Sequence, residues 1–319
     1  MRKSHDFVFA ILAFGRSAEL MRLVNEILGF FPRSRIILLV DAYQGPDSSV
    51  SEANEETIEY GRNLLGAGLI TDLILPSINL QTKSALELLM RTSFKYSKNV
   101  IYIEDDLSLV KNPIEYLNFC FDQFENSGEI AFATLYTSRK HSGSVNIMGR
   151  TTNWPESWGF VITEKNFTLL QRQISKGREF GVGICESPNF MMQLSLSKMT
   201  RLFFSRFRSV WLYKFNKAVH SSTAWDTEYH YGLWALNMKS IAPTTNYIED
   251  QGIHFTSISS EKKVRKIHDC KLKLEKASFR NSEVAGAPMC NKCEVALAKR
   301  NYMFLPRVLR GLFVLRMFV

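Results

Sequence analysis

Three carboxylates in succession, Glu104, Asp105 and Asp106, follow the apolar run NVIYI and precede Leu107. Adjacent negative charges repel, so a fold that keeps three of them at a strand end calls for a shared cation, and oxygen ligands of this kind suit Mg2+ or Mn2+. A solvated acidic turn is the alternative for such a run. A second group lies in AWDTEYHYGLWALNMKSIAPTTNYIEDQGIHFTS, where Asp226 opens a helical pattern and Glu228 follows two residues on. Asp226 is there either a helix cap or an active-site carboxylate. His254, after Gly252, offers an imidazole to a divalent ion or, protonated, to a diphosphate. Towards the end of the chain His268, Cys270, Cys290 and Cys293 form H-x-C, a gap of 19 residues and C-x-x-C, four ligands for a tetrahedral Zn2+; ordinary free thiols are the other reading.

Such groups need a frame. From Phe7 to Asp105 the chain alternates apolar runs with helical periodicity: FVFAILAF, AELMRLVNEILGFF, RIILLVDAY, a polar SSVSEANEETIEYGRNLL, DLILPSI, SALELLMRTSFKYS and VIYIED. This βαβαβαβ order implies an α/β fold with a mostly parallel sheet and helices on both faces. Sheets of that kind bind ligands beyond the carboxyl ends of their strands. The residues found there are Gly15 and Arg16, then Asp41, then Asn79, then the acid triplet.

Past Pro113 the pattern predicts a helix over PIEYLNFCFDQFENS, a strand over IAFATLY and a polar loop from Thr137 to Pro155. The strand WGFVIT then hands over to a helix through Thr163. A Gly-rich stretch, KGREFGVGICESPN, leads into a long helical segment to about Phe215, followed by a helix entered at Asp226 and SIAPTTNYIED as a strand with a turn. No internal repeat and no Pro/Ser-rich linker divides the first 260 residues, so the expected organisation is a catalytic domain over 1–260 and an extension over 261–319.

The 319 residues are 45% hydrophobic and 22% charged, which excludes a disordered or fibrous chain. The net charge is +9, but residues 1–260 hold 26 Lys+Arg against 26 Asp+Glu, and residues 261–319 hold 14 against 5. A neutral body argues against nucleic-acid binding, and the whole excess belongs to a basic tail. Its end, KRNYMFLPRVLRGLFVLRMFV, interleaves arginines with large apolar residues, as in a helix that lies on an anionic membrane surface or docks on a protein. Arg307, Arg310 and Arg316 interrupt it, and no run reaches the roughly 18 apolar residues of a spanning helix. The apolar stretch Phe7–Phe14 lacks a small-residue cleavage site, and five cysteines are an odd number. The expected location is cytoplasmic, peripheral at the inner face of the membrane if the tail binds there.

FGRSAEL, VDAYQGP, PSINLQTKSALELL, VIYIEDDL, SWGFVIT and TAWDTEYHYGLWALNMKSIAPTTNYIEDQGIHFTS together resemble the GT-A-fold glycosyltransferases, bacterial sugar transferases and more distantly N-acetylglucosaminyltransferase I. The resemblance covers about residues 6–257. It implies a Rossmann-like GT-A sheet, a nucleotide-sugar donor and a Mn2+ or Mg2+ ion held by Asp106; the imidazole of His254 is a further candidate ligand by its own chemistry. Arg16, Asp41, Asn79, Lys83, Glu104 and Asp105 would line the donor, and Trp158, Gly159 and Glu228 the acceptor side. Asp226 takes the position of the catalytic base. Three positions depart from the family pattern: Gln81 replaces a glycine, Phe160 a tryptophan and Thr227 a second aspartate.

The implied reaction is transfer of a sugar to a hydroxyl of a glycan or lipid-linked acceptor, with inversion, since one in-line displacement assisted by Asp226 reverses the anomeric centre. Two other classes compete: a nucleotidyltransferase or other nucleotide-sugar enzyme, and a non-catalytic membrane-associated adaptor on a decayed transferase fold. The first should carry a Gly- and Lys-rich loop after its first strand, and FGRSAEL is not one. The second is disfavoured by the joint presence of Asp106 and Asp226.

Overall fold

Short runs of Val, Ile and Leu, too hydrophobic on both faces to meet water, become the central strands. A computed structural model describes residues 5–137, 148–152, 156–180 and 215–250. Strands β1 (Val8–Ala13), β2 (Arg35–Val40), β3 (Asp72–Ile74) and β4 (Asn99–Glu104) alternate with helices α1 (Ser17–Phe30), α2 (Ser48–Gly66) and α3 (Gln81–Ser93). After β5 (Leu107–Leu109) come α4 (Ile114–Asn126), β6 (Ile130–Thr134), β7 (Gly149–Thr152), β8 (Phe160–Thr163) and α5 (Glu164–Phe180). The described part ends with α6 (Trp225–Ala235), β9 (Lys239–Pro243) and β10 (Ile248–Asp250).

The main sheet has the order β3-β2-β1-β4-β8-β6-β9-β7. Its first four strands are parallel, as the βαβ pattern requires. β8 runs against both β4 and β6, β9 runs parallel to β6, and β7 closes the far side antiparallel to β9. β5 and β10 form a separate antiparallel ribbon in which Asp250 lies opposite Leu107.

Alternation along β1 divides the core between the two faces. Val8, Ala10 and Leu12 pack with α3, α5 and α6, while Phe9, Ile11 and Ala13 pack with α1, α2 and α4. Each such Ile or Leu taken fully out of water contributes about 1.5–3 kcal/mol. The expected mostly parallel sheet with helices on both faces is therefore observed.

Several boundaries differ from the sequence reading. SIAPTTNYIED splits into β9 and β10, which belong to different sheets, because the turn through Thr244 lets the chain cross from the main sheet to the ribbon. The segment read as a polar loop contains β7, whose sequence GRTT carries no apolar alternation yet is buried throughout, Arg150 included. α6 begins at Trp225 with Ala224 as its N-cap residue, so Asp226 lies inside the first turn and is not the cap. Among the described residues no helix is long and apolar enough to cross a membrane. His254, the candidate zinc ligands His268, Cys270, Cys290 and Cys293, most of the Gly-rich stretch and the tail lie outside the described residues.

Candidate active site

The carboxyl ends of β1, β2 and β4 converge because the parallel register aligns Leu12 with both Leu39 and Glu104. Asn54, buried in α2, fastens the first two ends together. Its amide nitrogen donates to the carbonyls of Phe14 and of Asp41, the latter at 2.8 Å, and its oxygen accepts from the Tyr43 amide at 3.2 Å. Asp41 Oδ1 in turn accepts from the amides of Ala42 (3.0 Å) and Leu80 (2.9 Å), and so holds the start of α3 against the end of β2. Asn79 Oδ1 accepts from the Gln81 amide at 2.9 Å, and Gln81 adopts φ +59°. This is the left-handed conformation natural to glycine, so the chain follows a glycine-like path here despite the side chain, at a cost of about 1–2 kcal/mol.

Among the described residues the acid triplet meets Arg16. Arg16 Nη1 donates to Asp105 Oδ1 at 2.7 Å and lies 3.0 Å from Asp106 Oδ2. The second oxygen of Asp105 accepts from the Phe14 amide at 3.1 Å, and the residue is only 3% exposed. Asp105 is thereby fixed to β1, while Asp106, with 28% of its side chain exposed, faces the edge. Glu104 accepts a hydrogen bond from the Tyr102 hydroxyl at 2.9 Å. Burial, reinforced by the charge of Asp106, pushes the Glu104 carboxyl up to about 7. Burial likewise lifts Asp105 to about 6 against the opposing pull of Arg16. Arg16 is the cation that the described residues place against the triplet, and a divalent ion beside Asp106 would add positive charge to the same group.

Aromatic packing joins this cluster to the second one. The Trp225 ring stands edge-on to Tyr102 at 5.6 Å and lies 5.4 Å from Phe160, so the residue preceding Asp226 rests on the side chain that holds Glu104. Asp226 is half-buried, and its Oδ1 accepts from the Thr227 hydroxyl at 3.4 Å. Phe160 is part of the floor under Trp225. Gly159 has φ +59°, and Trp158 packs on Tyr136 with ring centroids 4.6 Å apart. The antiparallel register sets Phe160 opposite Tyr102, so Trp158 and Gly159 enter the sheet at the edge where β4 ends.

Lys83 and Glu228, expected on the donor and acceptor sides, are bound to each other at 2.8 Å. Glu228 is 1% exposed and both its oxygens also receive Arg178, at 2.7 and 3.0 Å. Sequence reasoning did not single out Arg178, Asn54 or Tyr102. Arg178 and Asn54 lie on helices whose polar faces read as solvated, and Tyr102 reads as a strand residue of the core.

Among the described residues no three His, Cys, Asp or Glu side chains form a metal cage. A Mg2+-type ion needs no such cage, because it commonly takes one or two carboxylates and completes its shell with substrate phosphates and water. Asp106 is the carboxylate whose position fits, with Glu104 beside it.

No protein-family profile matches the chain, and no curated protein matches it in sequence. Solved structures resemble it in part. S. aureus TarS aligns over 53% of this chain and 29% of its own, with 10% identity and a TM-score of 0.33. Glucosyl-3-phosphoglycerate synthase from Mycobacterium tuberculosis, solved with Mn2+, UDP and phosphoglyceric acid, aligns over 56% of this chain and 66% of its own, with 12% identity and a TM-score of 0.31. A mannose-1-phosphate geranyltransferase from Thermus thermophilus aligns over 77% of this chain and 76% of its own, with 10% identity and a TM-score of 0.38. These superpositions are loose, and none assigns a role to a residue of this chain.

Proposed function

We propose that the protein is a glycosyltransferase that moves a sugar from a nucleotide-sugar donor to a hydroxyl of a glycan or lipid-linked acceptor, with inversion at the anomeric carbon. The observation that carries this reading is that an acid triplet held by Arg16 is joined, at one sheet edge, through the packing of Trp225 on Tyr102, to a helix start bearing a separate half-buried carboxylate.

Asp106 would hold a divalent ion, which when bound would supply Lewis-acid stabilisation to the leaving diphosphate. Arg16, already against Asp105 and Asp106, adds a fixed positive charge next to that group. Asp41 and Asn79 shape the loop that faces the nucleotide, Asp105 holds Arg16 in place, and Glu104 borders the ribose and sugar. Asp226 accepts the proton of the acceptor hydroxyl as it attacks, the role of a general base. Trp158, with Tyr136 behind it, borders the acceptor. The basic tail holds the protein at an anionic membrane surface, where a lipid-linked acceptor resides.

The test is thermal unfolding with UDP-, GDP- and CMP-sugars with and without Mn2+, since a ligand that binds only the native state raises its stability. One donor class should stabilise the chain in a metal-dependent manner, and Asp106→Ala should abolish that shift. Asp226→Asn should keep the shift and lose turnover. Stabilisation unaffected by chelation would exclude the metal role, and full turnover in Asp226→Asn would remove the base.

A further inference from the structure

The buried ion cluster of Lys83, Glu228 and Arg178 joins three helices at a point the proposed chemistry does not use. Glu228 Oε1 lies 2.8 Å from Lys83 Nζ and accepts from Arg178 Nε at 2.7 Å, and its Oε2 accepts from Arg178 Nη2 at 3.0 Å. Lys83 also donates to the carbonyls of Ala218 and Val219 at 3.3 Å and of Ser221 at 2.9 Å. Its backbone amide donates to the Ser222 carbonyl at 3.2 Å. An ammonium has three protons, and Lys83 has four acceptors around it, so none is left for a donor phosphate. Glu228 has both oxygens engaged and its side chain is 1% exposed, so it presents nothing to an acceptor.

These bonds secure residues 218–222 on one side and residue 228 on the other, with Asp226 between. α6 has no side-chain hydrogen bond at its N-cap, Ala224, a local contact that usually contributes about 1 kcal/mol to fixing a helix start. The orientation of its first turn therefore depends on contacts from other elements, the packing of Trp225 on Tyr102 and Phe160 and the ion cluster at Glu228 among them. α3, which carries Lys83, is itself held to the donor edge through the Leu80 amide on Asp41.

We infer that Lys83, Glu228 and Arg178 are positioning residues that set the Asp226 carboxylate relative to the acid triplet, and that Lys83 acts through this clamp and not by gripping the donor. The inference rests on Asp226 being the general base. A displacement of that carboxylate by about 1 Å is enough to lower turnover about 100-fold without any loss of substrate contact.

The test uses the full chain and hydrolysis of UDP-, GDP- and CMP-sugars with Mn2+, water replacing the acceptor. Lys83→Met, Glu228→Gln and Arg178→Gln should each lower kcat about 100-fold at temperatures below their unfolding midpoints, with donor KM unchanged. Arg178→Lys should recover part of the loss. Arg178→Gln leaves Lys83 on Glu228, so this variant keeps the comparison available if Glu228→Gln fails to fold. The double variant Lys83→Met with Glu228→Gln should be no slower than the slower single variant, because both act through one contact. A raised donor KM in Lys83→Met, or wild-type kcat in folded Arg178→Gln, overturns the clamp. Asp226→Asn separates the two readings: if it is inactive while the clamp variants turn over normally, only the clamp falls. If it is fully active, or if the wild-type chain hydrolyses no donor, the base and the transferase reading fall first.

Discussion

Arg16 stands between two carboxylates of unequal freedom, and that inequality is measurable. Asp105 is almost wholly buried, so removing its cation leaves an uncompensated charge inside the protein. Arg16→Met should lower the unfolding free energy by about 3 kcal/mol, the lower end of the range for breaking a buried pair, because the Arg16 side chain is one-quarter exposed. Denaturant unfolding checks this, and Arg16→Met combined with Asp105→Asn should recover most of the loss. Glu104 gives a pH signature. The native state holds its proton up to about 7, while the unfolded chain releases it near 4.5, so the native state binds more protons between those values. Stability must then fall as pH rises through that window. Asp105 and Asp106 add to the effect, Arg16 opposes it, and the Tyr102 hydroxyl favours the ionised form. Glu104→Gln should flatten the profile of unfolding temperature against pH in metal-free buffer, and Mn2+ with nucleotide should flatten it in the wild type. At this scale the sequence disclosed where the acids lie, since three carboxylates after an apolar strand are visible as a string. It did not disclose Tyr102 or Asn54, whose roles depend on hydrogen bonds to residues 2 to 40 positions away.

Among the elements, β8 is the one whose direction matters most. Gly159, just ahead of it, takes a positive φ, and a Cβ there would come within 2.7 Å of Ile248 Cδ1 in β10. Gly159→Ala should therefore cost about 1–2 kcal/mol for the backbone alone. It should also loosen the β5–β10 ribbon, seen as faster amide exchange at residues 107–109 and 248–250. The βαβ half of the sheet was legible from β1 to β4, because each strand is a continuous apolar run and each helix has one apolar face. The other half was less so: β7 and the ribbon strands are three or four residues long and, unlike the equally short β3, are not framed by two amphipathic helices. Glu228 was legible as a carboxylate near Asp226 and Lys83 by resemblance alone, and the fold gives them to each other because α3 and α6 pack on the same face of the sheet.

For the molecule as a whole, a neutral body carrying a basic extension predicts salt-dependent attachment to anionic vesicles. The full chain should sediment with phosphatidylserine-containing vesicles at low salt, release as ionic strength rises and ignore phosphatidylcholine alone. Equal sedimentation with both lipids would exclude an electrostatic tail. The +9 was readable at once, but its meaning depended on dividing it at residue 260.

The β5–β10 ribbon also determines how the protein faces whatever holds it. β1 begins at the amino edge of the parallel strands, remote from the acids, whereas Asp250 lies opposite Leu107, the neighbour of Asp106. A handle fixed ahead of β1 thus turns the site outward to solution. One fixed at Glu249 turns it toward the support, so the same protein immobilised through Asp6 or through Glu249, both exposed, should differ in access to a soluble donor.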